Sequence, residues 1–123
     1  MIKSFKDLRI YKRGYELNLK IHNISMKLPD YERYVICDQI RRAALSIPLN
    51  IAEGYGKKES DAEFKRYLRI ALGSCNEVEV LLDIIYDLKY IDGENHEEIV
   101  NGYIELGKQI YSTIIKWSRI EKF

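Results

Sequence analysis

Residues that interrupt helices or build covalent and metal sites are scarce in this sequence. Its 123 residues include two prolines, seven glycines, two cysteines and two histidines. So few prolines and glycines are typical of long uninterrupted elements. Cys37 and Cys75 have no CxxC partner, and His22 and His96 are isolated, which excludes the usual metal-ligand spacings. We therefore expect two buried free thiols, no metal and no cofactor.

Long apolar runs are also missing. None approaches the roughly 20 residues that a membrane-spanning helix needs. The first residues, MIKSFKDLRIYKRGYE, carry charges throughout, where a signal peptide would have an apolar core. These absences predict a cytoplasmic protein without a membrane partner. The length predicts a single domain over residues 1–123.

Charge is nearly balanced overall but unevenly distributed along the chain. The formal net charge is +1, so composition by itself indicates neither an acidic nor a basic partner. Residues 1–30 carry seven Lys and Arg against three Asp and Glu, whereas residues 61–123 carry eight against twelve. The N-terminal segment is therefore basic, and the C-terminal half is acidic.

Apolar residues, by contrast, are abundant and regularly spaced. They recur at alternating steps of three and four, the pattern of helices that bury one face. The pattern predicts helices over about residues 7–28 and 32–54, a third that opens at Ser60, and a fourth over about residues 95–117 or beyond. Since the connections are short, we predict an all-α, antiparallel up-down four-helix bundle.

Prolines, glycines and caps mark the ends of these predicted helices. Pro29 ends the first helix, and Gly56 lies where the second one stops. Ser60 opens the third helix as part of a capping box. Pro48 lies inside the second helix and predicts a kink rather than a break, because the apolar period continues past it. Gly73, in the middle of the third helix, predicts a close approach between two helices.

The first predicted helix carries more apolar surface than one core needs. Its core stripe begins at Ile10 and continues through Leu17 and Ile24. A second stripe, roughly 140° away around the helix, is formed by Leu8, Tyr11, Tyr15, Leu19 and Met26. Exposed apolar patches of this size mark interfaces. These five residues are therefore a candidate oligomer interface, unless long side chains of the same bundle cover them.

Cations lie between the two stripes, on one side of the same helix. This basic strip consists of Lys6, Arg9, Arg13, Lys20 and Lys27. One interpretation is a solvated helix face; the other is a surface that binds the phosphates of RNA or DNA. Repetition of the strip around an oligomer would turn a weak potential into a continuous basic surface.

Polar residues recur about one helical turn apart around Pro48. With their candidate partners in the third helix, they form a polar cluster of Arg41, Arg42, Ser46, Asn50, Glu53, Ser74 and Glu77. In a structural interpretation, Arg41 or Arg42 pairs with Glu53 or Glu77, and the Ser and Asn side chains satisfy backbone groups freed by Pro48. The alternative is a small-molecule or catalytic site. We favour the structural network, since no histidine lies here to activate a nucleophile.

Two enzymatic helical scaffolds can be tested against the histidines. Di-iron bundles need Glu-x-x-His pairs, but Leu19 lies three residues before His22 and Gly93 lies three before His96. Helical ribonucleases of the HEPN type need an arginine four to six residues before a histidine, and Arg13 is too far from His22. The sequence also contains no phosphate-binding loop and no glycine-rich dinucleotide motif. It therefore predicts a binding protein and no catalytic residues.

The chain resembles the four-helix-bundle proteins encoded within 23S rRNA intervening sequences. The resemblance lies in QIRRAALSIPLNIAEGYG and RYLRIALGSCNEVEVLL, and also in FKDLRIYKRGYEL and the Leu-Pro pair before the second helix. It spans nearly the whole chain. Tyr11 stands where the family pattern has tryptophan.

The resemblance implies an up-down bundle that assembles into a homopentameric ring. A distant branch, the accessory variability determinant proteins of diversity-generating retroelements, binds nucleic acid on a basic ring surface and associates with a reverse transcriptase. This implies RNA or DNA, or a protein such as a reverse transcriptase, as partners besides the chain itself. The alternative is an adaptor that touches proteins only. No catalytic residue comes with the resemblance.

Overall fold

Four α-helices make up the fold. The computed structural model describes the backbone of residues 1–121 and the side chains of residues 1–117, and it contains no strand within them. The helices are α1 (Arg9–Met26), α2 (Asp38–Gly56), α3 (Asp61–Asp87) and α4 (Gly93–Glu121). Each packs against the next, and α4 also packs against α1, which closes the bundle. The predicted all-α four-helix bundle is confirmed.

Helix α1 begins later than predicted, because a separately capped turn precedes it. Phe5–Asp7 form a 3₁₀ turn, in which the Ser4 hydroxyl accepts a hydrogen bond from the backbone of Lys6. The Asp7 carboxylate accepts the backbone N–H groups of Lys3 and Ser4. These bonds favour the charged form and lower the pKa of Asp7. The α-helix therefore begins at Arg9 instead of Asp7.

Helix α2 also begins later than predicted and ends slightly later. After Pro29 the chain forms a 3₁₀ turn over Asp30–Glu32 and one π-helical turn over Arg33–Cys37. Regular α-helix starts only at Asp38 and continues without a break past Pro48 to Gly56. The predicted continuity through Pro48 is thus confirmed. The kink stays a prediction.

The turn between α3 and α4 contains a residue in the left-handed region. Lys89 has a φ of 68°. Its N–H bonds the Tyr86 carbonyl at 2.8 Å, and the Tyr90 N–H bonds the Ile85 carbonyl at 3.0 Å. This pair of bonds is the Schellman pattern, which usually places glycine at the left-handed position. Asp92 then caps α4 by accepting the backbone N–H of Asn95 at 2.8 Å.

The inward stripes of the four helices form one apolar core. Its largest fully buried side chains include Phe64 and Tyr103. The buried stripe of α1 is the predicted one, with Ile10, Gly14, Leu17, Ile21 and Ile24. Inside the core the Tyr103 hydroxyl has no hydrogen-bond partner among the described residues, and burial raises the pKa of this hydroxyl.

Close helix approaches occur at glycines other than the predicted one. A Cβ built at Gly73 would meet nothing within 4 Å, so the prediction for this residue was wrong. A Cβ at Gly54 would lie 2.7 Å from the Tyr67 Cβ, and one at Gly102 would lie 2.8 Å from a Leu17 methyl. Gly54, which ends the second helix in the sequence prediction, therefore lies inside α2 and sets its separation from α3.

Candidate interaction surfaces

The predicted interface stripe of α1 is only partly exposed. Leu19 and Met26 are 51% and 66% exposed, and Tyr15 is about half exposed. Leu8, in contrast, is 6% exposed and belongs to the core, so its placement in the stripe was wrong. It precedes α1 in extended backbone, where helical spacing does not apply. Tyr11 is half-buried against the Phe5 ring, with centroids 4.9 Å apart.

Helix α2 extends this apolar surface with residues that were not predicted. Leu45 and Leu49 are four residues apart and about half exposed. Leu49 lines a groove together with Phe5, whose ring contacts Tyr11. The apolar surfaces of the two helices are therefore continuous at this end. The spacing of Leu45 and Leu49 is present in the sequence. The segment was interpreted from its polar residues instead, as part of the polar cluster.

The basic strip is divided by the fold. Lys6 lies in the 3₁₀ turn ahead of α1, and Lys27 follows the last residue of α1. Arg13 pairs with Glu16 on the same helix at 3.1 Å, and Lys20 reaches Glu98 of α4 at 3.7 Å. Of the five strip residues, Lys6, Arg9 and Lys27 form no ion pair with a carboxylate in the described part of the chain. The strip is thus less cationic than its residue count indicates.

Part of the polar cluster meets as predicted. The Ser46 and Ser74 hydroxyls are 3.0 Å apart and join α2 to α3. The Asn50 amide donates to the Ser46 carbonyl at 2.7 Å and to the Ser46 hydroxyl at 2.9 Å. This carbonyl is two residues beyond that of Ala44, the one that Pro48 deprives of its helical donor. The Asn50 side chain therefore bonds the helical turn that begins at Ser46, and it does not satisfy the carbonyl of Ala44.

The charged members of the polar cluster do not pair as predicted. Arg42 bonds Asp38, one turn earlier on α2, at 3.1 Å, and Glu53 lies 3.6 Å from Lys57. Glu77 is exposed on α3 and forms no ion pair with another described residue. These side chains point outward from α2 and α3, so the pairing of Arg41 or Arg42 with Glu53 or Glu77 was wrong.

The exposed position of Arg42 determines the expected effect of removing its side chain. Its side chain is 79% exposed, so Arg42→Ala leaves no buried charge and should alter the free energy of unfolding by less than about 0.5 kcal/mol. Glu77→Ala should behave alike. Urea denaturation followed by circular dichroism measures both. A loss of several kcal/mol from either substitution would contradict the exposed positions.

Arg41 joins a small cluster that the sequence did not indicate. Its Nε donates to the Ser25 hydroxyl at 2.6 Å, and that hydroxyl donates to the His22 carbonyl at 2.7 Å. The Cys37 thiol donates to the Ser25 carbonyl at 3.3 Å. Ser25 is almost fully buried, so these bonds satisfy its polar groups between α1 and α2. They fix the end of α1 against the π-helical turn.

The residue types that carry chemistry include a pair, His96 and Asp83, whose Nε2 and carboxylate oxygen are 2.8 Å apart, and the two cysteines. Both thiols are buried, as predicted, and burial followed by the charge of Glu79 raises the pKa of Cys75 to about 12. A protonated buried thiol is a poor nucleophile. Within the described residues no set of three His, Cys, Asp or Glu could hold a metal ion. No helix there is long and apolar enough to cross a membrane.

The fold and these surfaces define a class: a four-helix bundle that presents apolar and charged outer faces. Residues 6–112 match the family described as 23S rRNA-intervening sequence protein. The chain belongs to this family, which confirms the resemblance found in its sequence. None of the curated proteins matches it.

A solved structure supports the same assignment. It is the crystal structure of a protein with unknown function from the S23 ribosomal protein family of Bacteroides thetaiotaomicron. That protein is 32% identical to this chain, with a TM-score of 0.78, and the match covers 85% of this chain and 97% of the other.

Proposed function

We propose that this chain is a non-enzymatic binding protein that assembles with copies of itself through the apolar faces of α1 and α2. The observation that carries the proposal is the run of exposed apolar side chains along the outside of the two helices: Tyr15, Leu19, Met26, Leu45 and Leu49. Water contact with so many apolar groups is unfavourable, at about 25 cal/mol per Å². A second copy that covers this face removes the cost.

A closed oligomer is the form in which the apolar face of every copy is covered. The face lies on one flank of the bundle, so contact between this flank and a different flank of the next copy forms a ring when the rotation closes. Five copies is the number implied by the family resemblance. In a ring, both ends of every bundle also stay exposed, so they remain accessible to a ligand.

Substitution of Leu19 tests the assembly. Leu19→Glu places a charge at the centre of the α1 face, so we expect the oligomer to dissociate to smaller species, because a buried unpaired carboxylate is costly. Sedimentation velocity at micromolar concentrations measures this change. Leu88→Glu is the matched control, since Leu88 is also about half exposed but lies at the end of α3 and not on a flank of the bundle. A wild-type protein that stays monomeric at high micromolar concentration would show that the proposed face is not an interface.

Nucleic acid is the ligand that we propose for the assembly. Support comes from the cations of the N-terminal segment, of which Lys6 and Arg9 are exposed and form no ion pair with described residues. Lysine and arginine side chains bind phosphate oxygens without reading base edges, so we propose contacts to phosphates. Binding should then show little sequence preference.

A salt series tests nucleic-acid binding. Because phosphate contacts release counterions, we expect affinity for duplex DNA, single-stranded RNA and structured RNA to fall steeply between about 50 and 200 mM salt. Fluorescence anisotropy of labelled oligonucleotides measures the fall. The absence of binding at about 50 mM salt, by a protein shown to be assembled, would remove nucleic acid from the proposal. A protein-interaction adaptor, with a partner such as a reverse transcriptase, would then be favoured.

A further inference from the structure

The topology places four separate chain segments at each end of the bundle. At one end, Phe5 lies beside Gly56 and Lys57 at the close of α2. There the Phe64 ring at the start of α3 packs on Trp117 of α4, with centroids 4.6 Å apart. At the opposite end, the Tyr90 hydroxyl donates to Glu32 at 2.8 Å. Charges that are far apart in sequence are therefore brought together in space.

Charge is strongly segregated between these two ends. We divide the bundle into two halves across its long axis, at the level where Gly14, Ile47 and Leu106 meet. The half that contains residues 1–13, 48–71 and 107–117 carries twelve Lys and Arg against five Asp and Glu. The other half, residues 14–47 and 72–106, carries six against thirteen. We call them the basic end and the acidic end; each has a surplus of seven charges, although the whole chain is almost neutral.

Several cations of the basic end are not neutralised. Eight of them form no ion pair with described residues, and they come from all three segments of this end: Lys3, Lys6, Arg9, Lys12, Lys58, Arg69, Lys108 and Lys116. Lys58 lies over the Tyr55 ring at 4.4 Å, which fixes its position without reducing its charge. Three other cations there have partners, because Lys57 pairs with Glu53 at 3.6 Å, Arg66 with Glu63 at 2.9 Å and Arg13 with Glu16 at 3.1 Å.

We propose that the basic end is the surface that binds the phosphodiester backbone of nucleic acid. This inference rests on the proposed function and moves its site from the predicted strip to one end of the bundle. The eight free cations are spread over three segments, which suits a chain of phosphates better than one small anion. Lys20 and Lys27 of the strip lie in the acidic half, where surrounding carboxylates repel phosphate, so they do not contribute.

Assembly strengthens this surface. Cyclic symmetry turns the same end of every copy toward the same side of a ring. The basic ends then form one continuous positive face and the acidic ends form the opposite face. The field over the positive face is the sum of all copies, which explains how a chain with a net charge of +1 can attract a polyanion. The nucleic acid lies across that face.

Two triple variants with equal net charge test the location. The first carries Arg9→Glu, Lys58→Glu and Arg69→Glu at the basic end. The second carries Lys20→Glu, Lys27→Glu and Lys89→Glu in the acidic half, so both lower the net charge equally. Anisotropy is measured with labelled duplex DNA and single-stranded RNA at about 50 mM salt. Circular dichroism and sedimentation velocity confirm that each variant is folded and assembled.

We expect the basic-end variant to lose about tenfold or more in affinity for every oligonucleotide, with a shallower dependence on salt. The acidic-half variant should lose less than about threefold, from long-range potential alone. Equal losses in the two variants would overturn the location while leaving nucleic-acid binding intact. A wild-type protein that binds neither oligonucleotide would overturn the proposed function as well. Salt-sensitive end-to-end stacking of copies without nucleic-acid binding would show that the basic end instead meets the acidic end of another copy.

Discussion

Gly54→Ala is expected to lower the free energy of unfolding by at least about 2 kcal/mol, the scale of an overpacked core. The added Cβ would lie 2.7 Å from the Cβ of Tyr67 and 3.3 Å from the carbonyl oxygen of Phe64. Both atoms belong to, or adjoin, the α3 backbone, so a change of rotamer cannot relieve the contact. Helix α3 must move away from α2, which loosens the packing around Phe64. Urea denaturation followed by circular dichroism measures the loss.

Gly73→Ala is the matched control for this substitution. Gly73 also lies inside a helix, but a Cβ there would meet nothing within 4 Å. The change should therefore stabilise the protein by up to about 1 kcal/mol, the helix preference of alanine over glycine. Opposite signs for the two glycines are the expected result. A stabilising Gly54→Ala would contradict the close approach of α2 and α3.

Phe64→Ala is expected to cost about 3–5 kcal/mol, the range for removal of a fully buried aromatic ring. Phe64 is fully buried at the start of α3. Its ring packs edge-on against Trp117 at 4.6 Å and against Tyr55 at 6.3 Å, and so joins α2, α3 and α4. The cavity left by alanine would lie where these three helices meet. Thermal and urea denaturation measure the loss, with the partly exposed Ile70→Ala on the same helix as the control.

A double-mutant cycle separates the ring pair from simple burial. Phe64→Leu and Trp117→Leu keep most of the apolar volume but remove the edge-on geometry. The coupling between them should be about 0.5–1.5 kcal/mol, the range for an aromatic pair beyond its buried area. Additive effects of the two substitutions would mean that the rings contribute as apolar volume only.

Several features of the fold were accessible from local sequence patterns. The inward stripe from Ile10 to Ile24 was predicted from spacing, and the Ser60 cap was predicted from residue type. Each depends on interactions within one or two helical turns, which the order of residues specifies directly. The motif around Pro48 was informative for the same reason, because Ser46 and Asn50 bond one turn apart on α2.

Predictions that depended on contacts between helices were less successful. Leu8 was assigned to the outer stripe, but it precedes the helix and turns into the core. Arg41 or Arg42 was predicted to pair with Glu53 or Glu77, but Arg42 lies on the outer face of α2 and pairs with Asp38. In both cases the side-chain type was compatible with either position. The choice was made by where the helix begins and by which face it turns to its neighbours.

The sequence by itself determined four helices, their inward stripes and most of their ends, because helical periodicity and capping are local properties of the chain. The tertiary structure alone decided that Gly54, not Gly73, sets a helix separation, and that distant charges collect into a basic end and an acidic end. Antiparallel packing places the start of α1 and α3 beside the close of α2 and α4. Which residues share a level along the bundle depends on axial register between helices, a relation that no local pattern contains.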